Sequence, residues 1–475
     1  MLKSVYNIFL LWYNQTNIEK QRMKFVTVAK ENKMGVWPEN KLLLNMGVPL
    51  ILSMMVQALY NVVDTYFVSM YAGTDANSAL ALAFPVQNLM IAVAVGSGVG
   101  VNALLSRSLG EKNQEKANKV AMQGVVLAIA CSLLFVLVGA FGAAPIIHAQ
   151  TAREVVIGYG ISYLRICCVF SFGVFLQVVL ERLLQSTGRS MLSMVTQGVG
   201  AIVNIILDPI MIFGLFGFPE LGVAGAAWAT VIGQMVAALV GLFCNIRFNK
   251  ELTLRLKNLI PDFHLLGQIL AIGIPSIVMS AIGSVMTFSM NKILEPFVDG
   301  VGVAVFGVYF KIQSFVFMPV FGLTNAMIPI VAYNFGAQKR SRILKTIKLS
   351  VIYSLSIMTA GMLLFQLAPK GLLGIFNADE AMLQVGVPAL RTISLCFVFA
   401  AVSIVICSLC QAVGKSLYSM FASIGRQLVA LVPAAYLLSL SGNVNWIWWA
   451  FPIAESLAFV LCLLFLRQVL KRLDF

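Results

Sequence analysis

Charge is scarce in this chain. Asp, Glu, Lys and Arg make up 11% of its 475 residues, against 60% hydrophobic ones, where a soluble globular protein carries about 25% charged residues. So little charge cannot cover so large an apolar excess in water. That excludes a soluble enzyme, a disordered protein and a secreted disulfide scaffold. Histidine is nearly absent: His148 and His264 sit at loop edges with no ligand-like neighbours. The eight cysteines lie almost wholly in apolar runs, and the CxxC of Cys407 and Cys410 has no second pair. They read as small hydrophobes rather than as a metal or redox site. No set of His, Ser or Cys beside a base is visible, so the chain is not expected to be an enzyme. A Walker A loop is missing too. Gly414-Lys415-Ser416 has its ending without the upstream glycine, and Gly96-Ser97-Gly98-Val99-Gly100 lies in an apolar run, where small residues serve helix packing. ATP and other cofactors are therefore not expected.

What the chain does have is length of apolar run. A membrane helix needs roughly 20 mostly apolar residues. Twelve runs qualify: 42–70, 78–106, 120–143, 156–181, 190–214, 222–246, 265–292, 302–333, 346–368, 384–412, 417–440 and 446–466. The fold class is an all-α integral membrane protein with twelve transmembrane helices. Net charge is +14, but no basic patch carries interleaved aromatics, so nucleic acid is not an expected partner. Of the 33 Lys and Arg, 26 fall in the termini and one set of loops, and only Arg153 and Lys370 in the opposite loops. By the positive-inside rule both termini are cytoplasmic, the number of spans is even, and the chain is a multi-pass protein of the cell membrane, its partner the lipid bilayer. Residues 1–40 form a polar N-terminal extension. Its apolar stretch Ile8–Leu11 is too short for a signal peptide, and it is expected to carry no function.

The two halves repeat at one offset of 226 positions: Gly47-Val48-Pro49 onto Gly273-Ile274-Pro275, Gln87 onto Gln313, Gly96 onto Gly322, Gly110 onto Gly336, and Gln185–Ser190 onto Gln411–Ser416. A constant offset across many elements marks a duplication. Six spans per half give both halves one orientation, hence a parallel repeat. The expected organisation is an N-lobe over 41–246, a cytoplasmic linker over 247–264, and a C-lobe over 265–475 ending in a short basic tail. Two pseudo-symmetric six-helix lobes with a central cavity suit alternating access, driven by an ion gradient or by the substrate's own gradient.

Acids inside apolar runs are costly and usually functional. Asp64 lies in span one with Tyr60 a turn earlier, and Asp208 in span five with Asn204 a turn earlier. The i, i+4 spacing puts each pair on one helix face. Thr230 in span six adds a hydroxyl at a compatible depth, reckoned at ~1.5 Å per residue. Two carboxylates, an amide and hydroxyls in a low dielectric could hold a proton, and oxygen-only ligands equally suit Na+ at Asp64, Asn204, Asp208 and Thr230. The repeat does not preserve the acids: position 290 is Met and position 434 is Ala, so any coupling site is one-sided. The C-terminal half instead has Glu455, Lys311 and Arg426 at similar depths, either an ion pair or an attraction for cationic substrates. Pro49 removes a hydrogen bond within span one and is a candidate hinge. Gln57, Gln87, Gln313, Met290, Lys311 and Glu455 are candidate substrate-cavity residues.

These residues resemble the MATE (multidrug and toxic compound extrusion) family, its bacterial drug-exporter branch in particular. The marks are Gly47-Val48-Pro49, Gln57, Leu59–Thr65, Gln197–Gly200, Asn204–Pro209 and Gly222–Thr230. The resemblance covers about 41–470. It implies two six-helix lobes and export of cationic, amphipathic drugs or dyes in exchange for Na+ or H+. It also implies an N-lobe cation site at Asp64, Tyr60, Asn204, Asp208 and Thr230, and a span-one hinge at Pro49. Some members carry a second acidic site in spans seven and ten, for which this chain has Met290 and no acid. The alternative is a flippase for a lipid-linked or polyanionic precursor, which would favour a strongly cationic cavity. A monomer is expected, with loose substrate recognition in a cavity rich in Met and Phe.

Overall fold

In hydrocarbon a backbone has no water to bond, so each apolar run must satisfy its own amides as a helix. The computed structural model describes residues 32–297, 300–376 and 378–471. Residues 1–31 of the polar extension and 472–475 of the basic tail lie outside the described residues. Among the described residues there is no strand.

Ten helices cross as single elements: Glu39–Tyr71, Gly73–Gly110, Gln114–His148, Ser190–Phe213, Val223–Arg247, Phe263–Leu294, Val301–Gly336, Arg340–Leu367, Ser416–Ser439 and Val444–Leu470. The two remaining spans are broken. Span four is Glu154–Val169 with Phe172–Ser186, bent by 45°, and span ten is Glu380–Ser394 with Phe397–Ala412, bent by 50°. The sequence reads each as one run because hydropathy does not register a turn whose residues stay mostly apolar. Ser171 and Gly173 loosen the first break, and the Ser171 hydroxyl donates to the Ser132 carbonyl, 3.3 Å away in span three. At the second, Ser394 and Cys396 turn their side chains onto the carbonyls of Arg391 and Ile393. Helix geometry continues through Pro49 and Pro275.

The duplication extends to backbone conformation. Lys112 and Gln338, 226 positions apart, are both left-handed, with φ of 56° and 55°, and so are Gly188 and Gly414, with φ of 80° and 77°. Each pair closes the same loop in its own lobe.

The lobes meet through glycine. A Cβ on Gly110 would stand 1.9 Å from the Tyr333 carbonyl oxygen, and one on Gly336 2.2 Å from that of Arg107. Along the seam between spans two and seven, a Cβ on Gly100 would stand 2.2 Å from the Ile269 oxygen. No side chain fits such backbone-to-backbone approaches. All lie toward the end that carries the Arg- and Lys-rich loops. The apolar core follows the same division. At the basic end one buried cluster runs through both lobes and takes in Leu105, Ile269, Ile330 and Leu409. At the opposite end it separates into two, around Tyr163 and Phe175 in the N-lobe and around Tyr309 and Phe397 in the C-lobe. The lobes are thus clamped at the basic end and splay apart at the other.

Residues 32–39 reinforce the clamp. Met34 is fully buried. Asn32 donates to the Thr187 carbonyl at 3.2 Å and to the Glu251 carboxylate. On the C-lobe side, Asn334 donates to the Met34 carbonyl at 3.0 Å, Lys339 to that of Gly35 at 3.0 Å, and Arg342 to that of Trp37 at 2.5 Å. Glu39 pairs with Arg342 at 3.2 Å and Lys345 at 3.1 Å. The last part of the polar extension is therefore packed into the molecule.

Gly110→Ala forces the clamp apart, and overpacking of this kind costs about 1–3 kcal/mol. Its thermal unfolding midpoint in detergent is expected to fall below that of Gly267→Ala, whose new Cβ meets nothing within 4 Å. Equal midpoints would show that the clamp does not depend on this approach.

Candidate functional site

The N-lobe builds its polar pocket from a close approach of spans five and six. Cβ atoms on Gly200 and Gly233 would each stand within 3 Å of the other's carbonyl oxygen, at 2.9 and 2.8 Å. That contact sets Asn204 against span six, where its amide donates to the Thr230 hydroxyl at 3.3 Å. One turn on, the same amide donates to Asp208 Oδ1 at 3.3 Å. Pro209 follows, with no N–H to offer the carbonyl of Ile205. Span one brings Asp64, whose carboxylate is within electrostatic reach of Asp208, Tyr60, Tyr163 and Cys167. The structure thus gathers Tyr60, Asp64, Asn204, Asp208 and Thr230 in one place.

The pocket is short of donors. Asp208 is fully buried and Asp64 9% exposed. Asp64 Oδ1, Asp208 Oδ2 and Asn204 Oδ1 accept no hydrogen bond. A buried oxygen left unpaired costs about 1–3 kcal/mol, and more when charged. Three in one pocket are matched to something that supplies positive charge or a proton. An all-oxygen set of two carboxylates, an amide and a hydroxyl fits a hard cation as well as a proton.

Neighbouring residues extend the network. Gln87, from span two, donates to the Tyr163 hydroxyl at 3.1 Å and lies 3.7 Å from Cys167 Sγ. Gln57, two turns before Asp64, accepts from Gln197 at 2.9 Å. Tyr163 and Cys167 were not singled out from sequence, because neither is ionised at neutral pH and both sit in an apolar run. Glu181 was also missed. It lies at the sequence-read edge of span four, yet is buried and accepts from Gln177 at 3.0 Å.

The C-lobe corrects one expectation and decides another. Met290 does not line a cavity: it is fully buried in the C-lobe core, in a cluster with Met286, Leu294 and Tyr309. An unbranched apolar side chain at the pseudo-symmetric position of Asp64 packs where the acid would need a partner. Lys311 does not join Glu455. It is exposed, with its ammonium 5.9 Å from the centre of the Phe376 ring. Of the two bases that the sequence offered, Arg426 is the one that pairs, 3.4 Å from Glu455. Arg426 stands on a π-helical turn, Gly425–Leu431 in span eleven, a distortion that is frequent at functional sites. Glu455 Oε1, Gln427 Oε1 and Gln313 Oε1 accept no hydrogen bond.

Known proteins share this architecture. Two stretches, residues 49–210 and 275–437, match the sequence model of the MatE family, one in each lobe. The multidrug export protein MepA of Staphylococcus saprophyticus subsp. saprophyticus is 25% identical over 431 residues, covering 91% of this chain and 94% of that protein. A crystal structure of MATE in complex with MaL6 superposes with a TM-score of 0.88 at 23% identity, over 94% of this chain and all of that one. An outward-facing conformation of a multidrug resistance MATE family transporter of the MOP superfamily gives 0.86 at 24% identity, over 94% and 99%.

Glu455→Gln leaves Arg426 inside the lobe without its counter-charge. Breaking a buried pair from one side costs about 3 kcal/mol, the low end of the usual range, because the Arg426 side chain keeps 29% exposure. The unfolding midpoint is expected to drop in Glu455→Gln and to recover partly in Glu455→Gln with Arg426→Gln. No drop would remove the pair from the lobe's stability.

Proposed function

The chain belongs to the MatE family, and from that premise we propose that this transporter exports cationic, amphipathic drugs or dyes by alternating access, in exchange for a cation bound at the N-lobe site. The observation that carries this reading is the set of three orphan oxygens on Asp64, Asp208 and Asn204. A proton or Na+ gives those oxygens the partner the protein does not supply. Either one also lowers the repulsion between two buried carboxylates.

The basic end, by the positive-inside rule, faces the cytoplasm. The splayed end then faces outward, and the described conformation is the one that releases substrate and takes up the coupling cation. Closing the splay requires span one to move, because it carries both Asp64 and the residues clamped at the basic end. Pro49, 15 residues before Asp64, is where that helix has one hydrogen bond fewer to resist bending. The name of the MepA relative supports drug export. The flippase reading asks for a strongly cationic cavity, and the half-buried cation Arg426 is already paired with Glu455.

Ethidium efflux from energised vesicles, with Na+ and H+ gradients imposed separately, tests the proposal. Wild-type efflux is expected to follow one of the two gradients. Asp64→Asn and Asp208→Asn are each expected to abolish gradient-driven efflux while the protein stays folded in the membrane. Unimpaired mutants, or dye movement that ignores both gradients, would overturn the coupling site.

A further inference from the structure

The pseudo-symmetry of the basic end is broken in one place, and what fills one niche is missing from its twin. In the N-lobe niche, Asn32–Trp37 lies against Gly188 and is held by Arg342 through the Met34 and Trp37 carbonyls. The Glu251 carboxylate sits there too, within electrostatic reach of Arg189 and Lys33. Shifted by 226 positions, Gly188, Arg189 and Lys116 of one lobe system become Gly414, Lys415 and Arg342 of the other. The same shift carries Asn32–Trp37 onto Asn258–Phe263. That stretch is drawn away onto span three, where Gln123 donates to the carbonyls of Asn258 at 3.0 Å and Ile260 at 2.8 Å. Gln123 also accepts from the Asp262 amide at 3.0 Å.

The C-lobe niche is left as a cavity of about 500 Å³ between the lobes, lined on its polar side by Arg107, Lys116 and Lys415. Glu111 pairs with Arg107 at 2.8 Å and with Lys116 at 3.6 Å. Lys415 makes no ion pair among the described residues. Among the described residues three cations therefore share one carboxylate, where the twin niche has peptide carbonyls together with Glu39 and Glu251. The rest of the wall is apolar, with Leu104, Ile272 and Val469.

We propose that this cavity binds a phosphate-ester anion, the headgroup of an anionic membrane lipid, which supplies to Lys415, Lys116 and Arg107 the negative charge that the chain itself supplies in the N-lobe niche. Basic pockets between helices at the membrane surface bind such headgroups. The apolar wall suits the glycerol and the first methylenes of a lipid better than it suits a free ion. Contact with spans two and three on one side, and with spans seven, eight and twelve and the loop between spans ten and eleven on the other, lets the bound lipid bridge the lobes on the flank that the segment 32–39 does not reach.

Native mass spectrometry of the detergent-solubilised full chain, titrated with dioleoyl phosphatidylglycerol or dioleoyl phosphatidylcholine, tests this. The wild type is expected to retain phosphatidylglycerol selectively. Lys415→Gln is expected to bind it about tenfold more weakly, the loss of one charge-assisted hydrogen bond, and Lys415→Arg to restore it. Equal unfolding midpoints of the three proteins without lipid establish that the variants are folded. Displacement of phosphatidylglycerol by inorganic phosphate in wild type but not in Lys415→Gln upholds the anion site and places its ligand in solution. Equal retention of both lipids, or unchanged phosphatidylglycerol affinity in Lys415→Gln, overturns the proposal.

Discussion

Backbone-to-backbone contact through glycine at the basic end is the constraint on which the rest of the molecule depends. Gly110 against Tyr333, Gly336 against Arg107 and Gly100 against Ile269 leave no room for a side chain. In a bilayer, where apolar surface gains little by meeting other apolar surface, close packing is what holds helices together. These contacts run from the basic end along spans two and seven as far as Gly96 against Gly273 and Ile277, and beyond them the core divides from one shared cluster into two separate ones. The Asn88–Ser284 hydrogen bond, 2.8 Å long and exposed, lies more than three turns farther along the same seam than the Gly100–Ile269 approach. A contact made of glycines and a few carbonyls is also one that can be undone.

The duplicated frame and the unduplicated chemistry are separable. Loops closed by left-handed Lys112 and Gln338, and by Gly188 and Gly414, show that backbone conformation has been kept where the chain must turn. Buried charge has not been kept. The N-lobe places its acids on spans one and five, and the C-lobe places an Arg–Glu pair on spans eleven and twelve. The two arrangements differ in what they ask of their surroundings. A pair of opposite charges largely satisfies itself, which suits a lobe that stays one shape. Two like-charged carboxylates have no such partner among the described residues, which is what the proposed cation would supply.

Hydropathy and the constant offset made the twelve spans and the two lobes legible from sequence, because both signals are long and redundant. The i, i+4 placement of Tyr60 with Asp64 and of Asn204 with Asp208 made two halves of the N-lobe pocket legible, since helix geometry fixes which residues share a face. What joins the halves was not legible. It depends on Gly200 and Gly233 bringing spans five and six together, and a glycine gives no sign in sequence of which helix it admits. The bends of spans four and ten escaped for a similar reason, as a single serine at each break, Ser171 or Ser394, barely lowers the hydropathy of the run. Equal depth offered both Lys311 and Arg426 as partners for Glu455. Depth says nothing about azimuth, and it is Arg426 that faces the acid. Met290 shows the reverse limit: its position in the repeat was clear, but pseudo-symmetry does not decide whether an apolar replacement lines a cleft or fills a core.

The two ends of span one bear on how the lobes and the N-lobe pocket work as one device. Glu39 begins the helix and is tied to Arg342 and Lys345 of the other lobe, and Asp64 lies on the same helix within the pocket. A change in charge at Asp64 alters how strongly that part of the helix is held by span five, while the clamp fixes the other part. The helix then either moves as a rod, which strains the clamp, or bends between the two anchors. Pro49 lies between them, where one backbone hydrogen bond is already absent. Bending there leaves the clamp in place, whereas rod-like motion must break the Glu39 ion pairs. In the alternating cycle proposed above the two motions would serve different stages: bending would reshape the splayed side while the basic end is shut, and opening the basic end would require release of residues 32–39 from Asn334, Lys339 and Arg342.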